Sequence, residues 1–155
     1  MVRASPSQLA GSWSQVAFGQ QHGGGIRSDG TLWVWGSQQS NPGYVLGVSA
    51  TNDFSSPVQI SGSWTQLSAG NSFMAGIRTD GTVWAWGSNG NGQTGLTATG
   101  ATSSPVQISG SWSQITCGQY HVFGTRSDGT TWGWGSNGYG QLGVANGVTS
   151  NSSPV

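Results

Sequence analysis

Residues 126–135 read Arg-Ser-Asp-Gly-Thr-Thr-Trp-Gly-Trp-Gly, and the same pattern stands at 78–87 (Arg-Thr-Asp-Gly-Thr-Val-Trp-Ala-Trp-Gly) and at 27–36 (Arg-Ser-Asp-Gly-Thr-Leu-Trp-Val-Trp-Gly). Asp-Gly between two strand-like runs predicts a tight hairpin of the type I′ class, because Gly accepts positive φ without strain. The turn residues are Asp29-Gly30, Asp80-Gly81 and Asp128-Gly129. Two Trp spaced two apart put both rings on one face of the returning strand. The residue between them is Val34, Ala85 or Gly133. Its shrinking size predicts a place of close approach.

Working outward, Gly-Ser-Trp precedes each hairpin, at 11–13, 62–64 and 110–112, with spacings of 51 (62 − 11) and 48 (110 − 62). The nine Trp fall on three repeat positions: Trp13, Trp64 and Trp112; Trp33, Trp84 and Trp132; Trp35, Trp86 and Trp134. Residues placed with that regularity inside strands read as structural core. Residues 63–69 alternate apolar with polar, residues 73–78 lead into the hairpin, and 83–86 return from it. Pro57-Val58-Gln59-Ile60 and Pro105-Val106-Gln107-Ile108 supply a fourth strand. Four short strands in about 50 residues, with no helical period, predict an all-β propeller blade. The repeats run over about 5–55, 56–103 and 104–155, giving three four-stranded blades in a single repeat domain.

Composition agrees. Gly is 28 of 155 residues and only 5% of residues are charged, so many turns are needed, yet the nine Trp can build a core. The basic residues are Arg3, Arg27, Arg78 and Arg126, and the acidic ones Asp29, Asp53, Asp80 and Asp128. Net charge is zero and no basic stripe is present, which argues against nucleic acid and against an anionic membrane. No apolar run is long enough for membrane insertion. One cysteine, Cys117, allows no intramolecular disulfide. Met1 to Pro6 lacks a secretory apolar core, so if the protein leaves the cell it is expected to do so without a cleavable signal, or with the signal already removed. An uncharged Ser, Thr, Asn and Gly surface suits a virion or extracellular setting better than the cytoplasm.

The run 118–143 sharpens this reading. It contains Gly118-Gln119-Tyr120-His121, then the Asp-Gly hairpin, then Trp134-Gly135-Ser136-Asn137 and Gly140-Gln141-Leu142-Gly143. It resembles the repeat of the regulator of chromosome condensation family. The second copy is similar, with Trp86-Gly87-Ser88-Asn89 and Gly92-Gln93-Thr94-Gly95, but it has Phe73 in place of His and Thr94 in place of Leu. The first keeps His22 and departs after Ser37. The resemblance implies a β-propeller, most often of seven blades, used for protein contact. Some members act as nucleotide exchange factors for a small GTPase and bind chromatin, and others inhibit enzymes. Fold transfers between such proteins more safely than function.

Propellers have about 4 to 8 blades. Three blades leave two open faces, and exposed sheet faces are liabilities unless covered. We therefore expect completion by a homo-oligomer, with a six-bladed ring from two chains favoured. Other options are docking on another protein or membership of a longer chain. Ser5 to Leu9 matches Ser56 to Ile60, and Ser152 to Val155 begins the same motif, so strand exchange between subunits is one expectation.

No constellation for chemistry is evident, and the chain is expected not to be an enzyme. His22 and His121 share one repeat position and have no recurring ligand partners, so no metal and no cofactor is expected. The Arg27/Asp29, Arg78/Asp80 and Arg126/Asp128 pairs read as turn-stabilising pairs before they read as a contact ring. The loops Asn89–Gln93 and Asn137–Gln141 have no carboxylates for calcium and no Lys for phosphate, so Gln there is expected to satisfy backbone groups between blades. Tyr44, Phe54 and Tyr139, with the variable stretches 40–54, 96–103 and 144–152, are the candidate contact residues. The leading expectation is a structural or protein-interaction module that binds itself and another protein or a glycan, as in a phage fibre or capsid decoration. A glycan-binding lectin is the alternative, and nucleotide exchange or chromatin binding by family analogy is the third reading.

Overall fold

The computed structural model describes residues 5–38, 44–97, 100–144 and 150–155. Among them every regular element is a strand. In chain order these are β1 (Trp13–Phe18), β2 (His22–Arg27), β3 (Thr31–Gly36), β4 (Phe54–Ala69), β5 (Phe73–Arg78), β6 (Val83–Gly87), β7 (Thr102–Ile108), β8 (Trp112–Cys117), β9 (His121–Arg126), β10 (Thr131–Ser136) and β11 (Ser150–Asn151). All pairings are antiparallel between neighbours in sequence.

The long strand β4 serves two sheets. Its first half pairs with β3, placing Ile60 opposite Leu32 and Val58 opposite Val34. Its second half pairs with β5, placing Trp64 opposite Arg78. Gly62 sits between the halves at φ +112°, a conformation that Gly tolerates and other residues avoid. The blades are thus β1 to the first half of β4, the second half of β4 to β7, and β8 to β11. Segments 57–60 and 105–108 close the preceding sheet, so the sheets are out of phase with the repeat boundaries drawn above. A turn positioned before Gly-Ser-Trp cannot reveal which neighbour the preceding strand pairs with.

Two further expectations change. Ser150–Asn151 pairs with β10, and Val155 exchanges two 3.0 Å backbone hydrogen bonds with Gly133. In the single chain the C-terminal stretch therefore joins its own third blade. The hairpins are not type I′. Gly30 takes φ +82°, but Asp29 is not in the positive-φ region, and the Gly30 N–H donates to the Arg27 carbonyl at 2.9 Å. This is a type I turn followed by a bulged Gly, a three-residue loop.

The blades stack face to face. The aliphatic face of the first blade (Ile26, Leu32, Val34, Ile60) packs on the Trp face of the second (Trp64, Leu67, Met74, Trp86). The corresponding face of the second (Phe73, Ile77, Val83, Ala85, Ile108) packs on Trp112, Ile115, Val122 and Trp134 of the third. Within each blade the first Trp meets the last edge to face, with ring centroids 5.7, 5.9 and 5.5 Å apart. The first ring lies over the middle strand, where a Cβ at Gly25, Gly76 or Gly124 would approach it to 2.7–2.9 Å. Only Gly fits there.

Candidate functional site

Three side-chain devices recur along the chain, two in every blade and the third at both seams between blades. At the hairpin the Asp29 carboxylate accepts from the Thr31 hydroxyl at 2.6 Å and the Thr31 N–H at 3.0 Å. The Thr31 hydroxyl accepts in turn from the Trp33 indole at 2.8 Å. Asp80–Thr82–Trp84 and Asp128–Thr130–Trp132 repeat this clasp. The Thr hydroxyl, before any other influence, holds each carboxyl below its ordinary value. The Asp therefore stabilises the turn, as expected, with Thr as its partner.

The Arg has a different task. The Arg27 guanidinium lies 4.2 Å from the Trp33 ring and 5.2 Å from Trp13. Arg78 stands 3.9 Å from Trp84 and 4.9 Å from Trp64, and Arg126 repeats the arrangement with Trp132 and Trp112. A planar cation against two indole faces is attracted by their quadrupoles. These ring faces are occupied from within the chain, which argues against using them to stack sugars.

The third device stitches blade to blade. The Gln15 amide donates to the Leu67 carbonyl and accepts the Leu67 N–H, both at 2.9 Å. Gln66 does the same one blade on, to the Ser113 carbonyl at 2.8 Å and the Ile115 N–H at 3.2 Å. The Trp64 N–H donates to the Gly30 carbonyl and the Trp112 N–H to Gly81, each at 2.9 Å. Sequence reading did not single out these Gln residues. Their signal was present in the constant Gln two places after each Gly-Ser-Trp.

The loop glutamines satisfy backbone groups, but within their own loops and not between blades. Gln93 accepts the Asn91 N–H at 2.8 Å, Gln141 the Tyr139 N–H at 2.9 Å, and Asn89 and Asn137 hold Thr94 and Leu142. In the departing first loop Gln38 takes this part, accepting from the Leu46 N–H and donating to the Ala50 carbonyl, while Asp53 accepts the Gln38 N–H.

His22 is buried between the first two blades, with Nε2 unpartnered. Burial lowers its pKa to about 4 against the opposing hydrogen bond to the Phe73 backbone, so it is neutral at neutral pH. Burial pushes the Cys117 thiol up to about 12, which keeps it protonated. Among the described residues no three His, Cys, Asp or Glu gather as a metal site. The candidate contact residues divide. Tyr139 is 99% exposed at a loop tip and Tyr44 is exposed with φ +67°. Phe54 instead lies on β4, half-buried against the first inter-blade core, and is withdrawn as a contact residue. Parts of the variable stretches, at 40–43, 98–99 and 145–149, lie outside the described residues.

The two outer faces are the largest uncommitted surfaces. On the first blade Val16 is 48% exposed, whereas its counterparts Leu67 and Ile115 are buried, and Phe18 is 64% exposed, whereas its counterparts Ala69 and Cys117 are partly buried. On the third blade the outward face carries His121, Phe123, Thr125 and Thr131, where the second blade has Phe73, Ala75, Ile77 and Val83.

A stack of antiparallel four-stranded units with paired Trp and open end faces defines a β-propeller protein of tandem Trp–Gly repeats. Two sequence profiles of the regulator of chromosome condensation (RCC1) repeat match it, one at residues 64–93 and 112–141 and the other at 80–124. The chain belongs to that repeat family. It is 36% identical over 89 residues to the X-linked retinitis pigmentosa GTPase regulator homolog of Caenorhabditis elegans, matching 55% of this chain and 6% of that protein. Among solved structures, human WBSCR16 superposes with a TM-score of 0.81 at 21% identity, over 96% of this chain and 38% of that one. Saccharomyces cerevisiae Prp20p, described with its binding to Gsp1p and histones, gives 0.82 at 16% identity, over 92% and 37%. The chain spans well under half of each relative.

Proposed function

We propose that this chain is a non-enzymatic protein-interaction module whose two end faces bind further blades, and that a second copy of the chain supplies them. The observation carrying this reading is the unequal burial of equivalent residues: Val16 is 48% exposed where Leu67 is 2%. Stacked blades bury that position wherever a neighbour exists, and an apolar patch left in water favours association. The low charge suits an exposed assembly such as a virion or cell-surface component. Light scattering on the eluting protein tests the proposal. A mass of two or more chains is expected, and a monodisperse single chain at high concentration would overturn it.

A second reading is contact with a small GTPase, which the naming of the C. elegans relative as a GTPase regulator homolog favours. Acceleration of nucleotide release from such a GTPase would support it over self-assembly.

A further inference from the structure

We infer that the two end faces fit each other head to tail in one fixed register, with the Gln114 amide of one copy clamping the Val16 backbone of the next. The inference rests on the self-association reading and adds the atoms that set its geometry.

The chain contains the same seam twice. At each, a Gln on the first strand of one blade reaches a backbone N–H and carbonyl on the first strand of the next, as Gln15 does to Leu67 and Gln66 to Ser113 and Ile115. At each, the Gly of the hairpin turn accepts the N–H of the next blade's first Trp. The second seam adds the Ser68 hydroxyl, which accepts the Cys117 N–H at 2.9 Å. Beneath these bonds an aliphatic face meets a Trp face.

The outer faces hold the two halves of a third such seam. On the third blade Gln114 is exposed and its side chain makes no hydrogen bond among the described residues, and Thr116 and the Gly129 turn are exposed beside it. These are the counterparts of Gln66, Ser68 and Gly81. On the first blade β1 is an edge strand, so Val16, Phe18 and Trp13 present the counterparts of Ile115, Cys117 and Trp112. Seated in this register, Gln114 meets Val16, the Thr116 hydroxyl meets the Phe18 N–H, and the Gly129 carbonyl meets the Trp13 N–H. A second copy thus supplies a donor or acceptor for each group.

Side-chain size follows the same logic. At the first seam Gly24 faces Met74, and a Cβ on Gly24 would come within 2.9 Å of the Met74 methyl. At the third the bulk changes sides, with Phe123 at the position of Gly24 and Gly23 at that of Met74. In the single chain Phe18 rests over Gly23, so seating Phe123 displaces that ring. Thr125 and Thr131 also make this face more polar than its two internal counterparts. The third seam is therefore weaker and reversible, and it forms with concentration.

Sedimentation equilibrium over a concentration series tests the register. Gln114→Ala removes a side chain with no internal bond, and association is expected to weaken about tenfold while the fold is unchanged by circular dichroism. Val16→Pro removes the N–H on the open side of an edge strand, where Pro is tolerated, and is expected to weaken association as well. Gln66→Ala, the same change in an internal seam, is expected to lower unfolding stability and leave association near that of the unaltered chain. If the unaltered chain stays a single copy, both this inference and the self-association reading fall. If it associates but Gln114→Ala and Val16→Pro associate equally well, the register falls and self-association stands.

Discussion

The middle blade and the first blade carry the same three Trp, yet their fates differ. Trp86 is fully buried, while Trp35 at the same repeat position is only partly buried, with Phe18 against it at 6.2 Å. Met74 fills the first seam from the second blade, at the position where the first blade's outer face has Gly23, sheltered by Phe18. Identical local chemistry therefore gives a fully buried residue in one blade and a partly exposed one in another. Burial is set by whether a neighbour stacks on that face. A repeat protein depends on its nearest neighbours in just this way.

The sharpest way to break this comparison is to delete the same ring in both blades. Trp86→Ala removes a fully buried indole and is expected to cost about 3–5 kcal/mol in guanidinium unfolding, whereas Trp35→Ala costs less than half as much. Equal losses would mean that the first blade's outer face is already covered in solution.

A smaller effect separates the first two blades by pH. His22 stays neutral in the folded chain down to about 4, while an unfolded His takes up its proton near 6.5. The unfolded state then binds more protons, so the contribution of the neutral imidazole is whole above 6.5 and is lost as pH falls toward 4, at up to about 1.4 kcal/mol per pH unit. The second blade has Phe73 at this position, so His22→Phe is expected to flatten stability across that window. A slope unchanged in the variant would show that His22 is not its source.

The smallest effect tests what the blades share. Thr82→Val takes the acceptor from the Trp84 indole and the donor from Asp80, and is expected to cost about 1 kcal/mol by thermal or chemical unfolding. Thr31→Val in the first blade should match it, because the clasp is local. A marked difference would mean that the clasp depends on blade stacking.

Much of the fold was legible because its repeat is carried by residue types with narrow uses. Gly30 marks a turn that requires positive φ, and Trp33 with Trp35, two apart, mark one face of a returning strand. The turn class was not legible, since Asp-Gly serves both the type I′ turn and the bulged type I loop seen here. The phase of the blades was also hidden, because the segment before Gly-Ser-Trp reads as a strand without naming its partner. At the candidate site Tyr139 was recognisable as an exposed loop aromatic, but Phe54 was misjudged: its place in a variable stretch concealed its register opposite Gly36 on β3. The Arg-Asp pairs were seen as pairs, whereas stacking assigns Arg to the indoles and hydrogen bonding assigns Asp to Thr.

The amino-acid order alone determined that this protein is a tandem array of Trp–Gly hairpin units, because spacing, turn glycines and strand alternation are local properties of the chain. Only the tertiary structure decided which of the equivalent side chains are core and which are surface. That outcome depends on contacts between units about fifty residues apart, and a repeating sequence writes the same letters whether or not a neighbour is there to cover them.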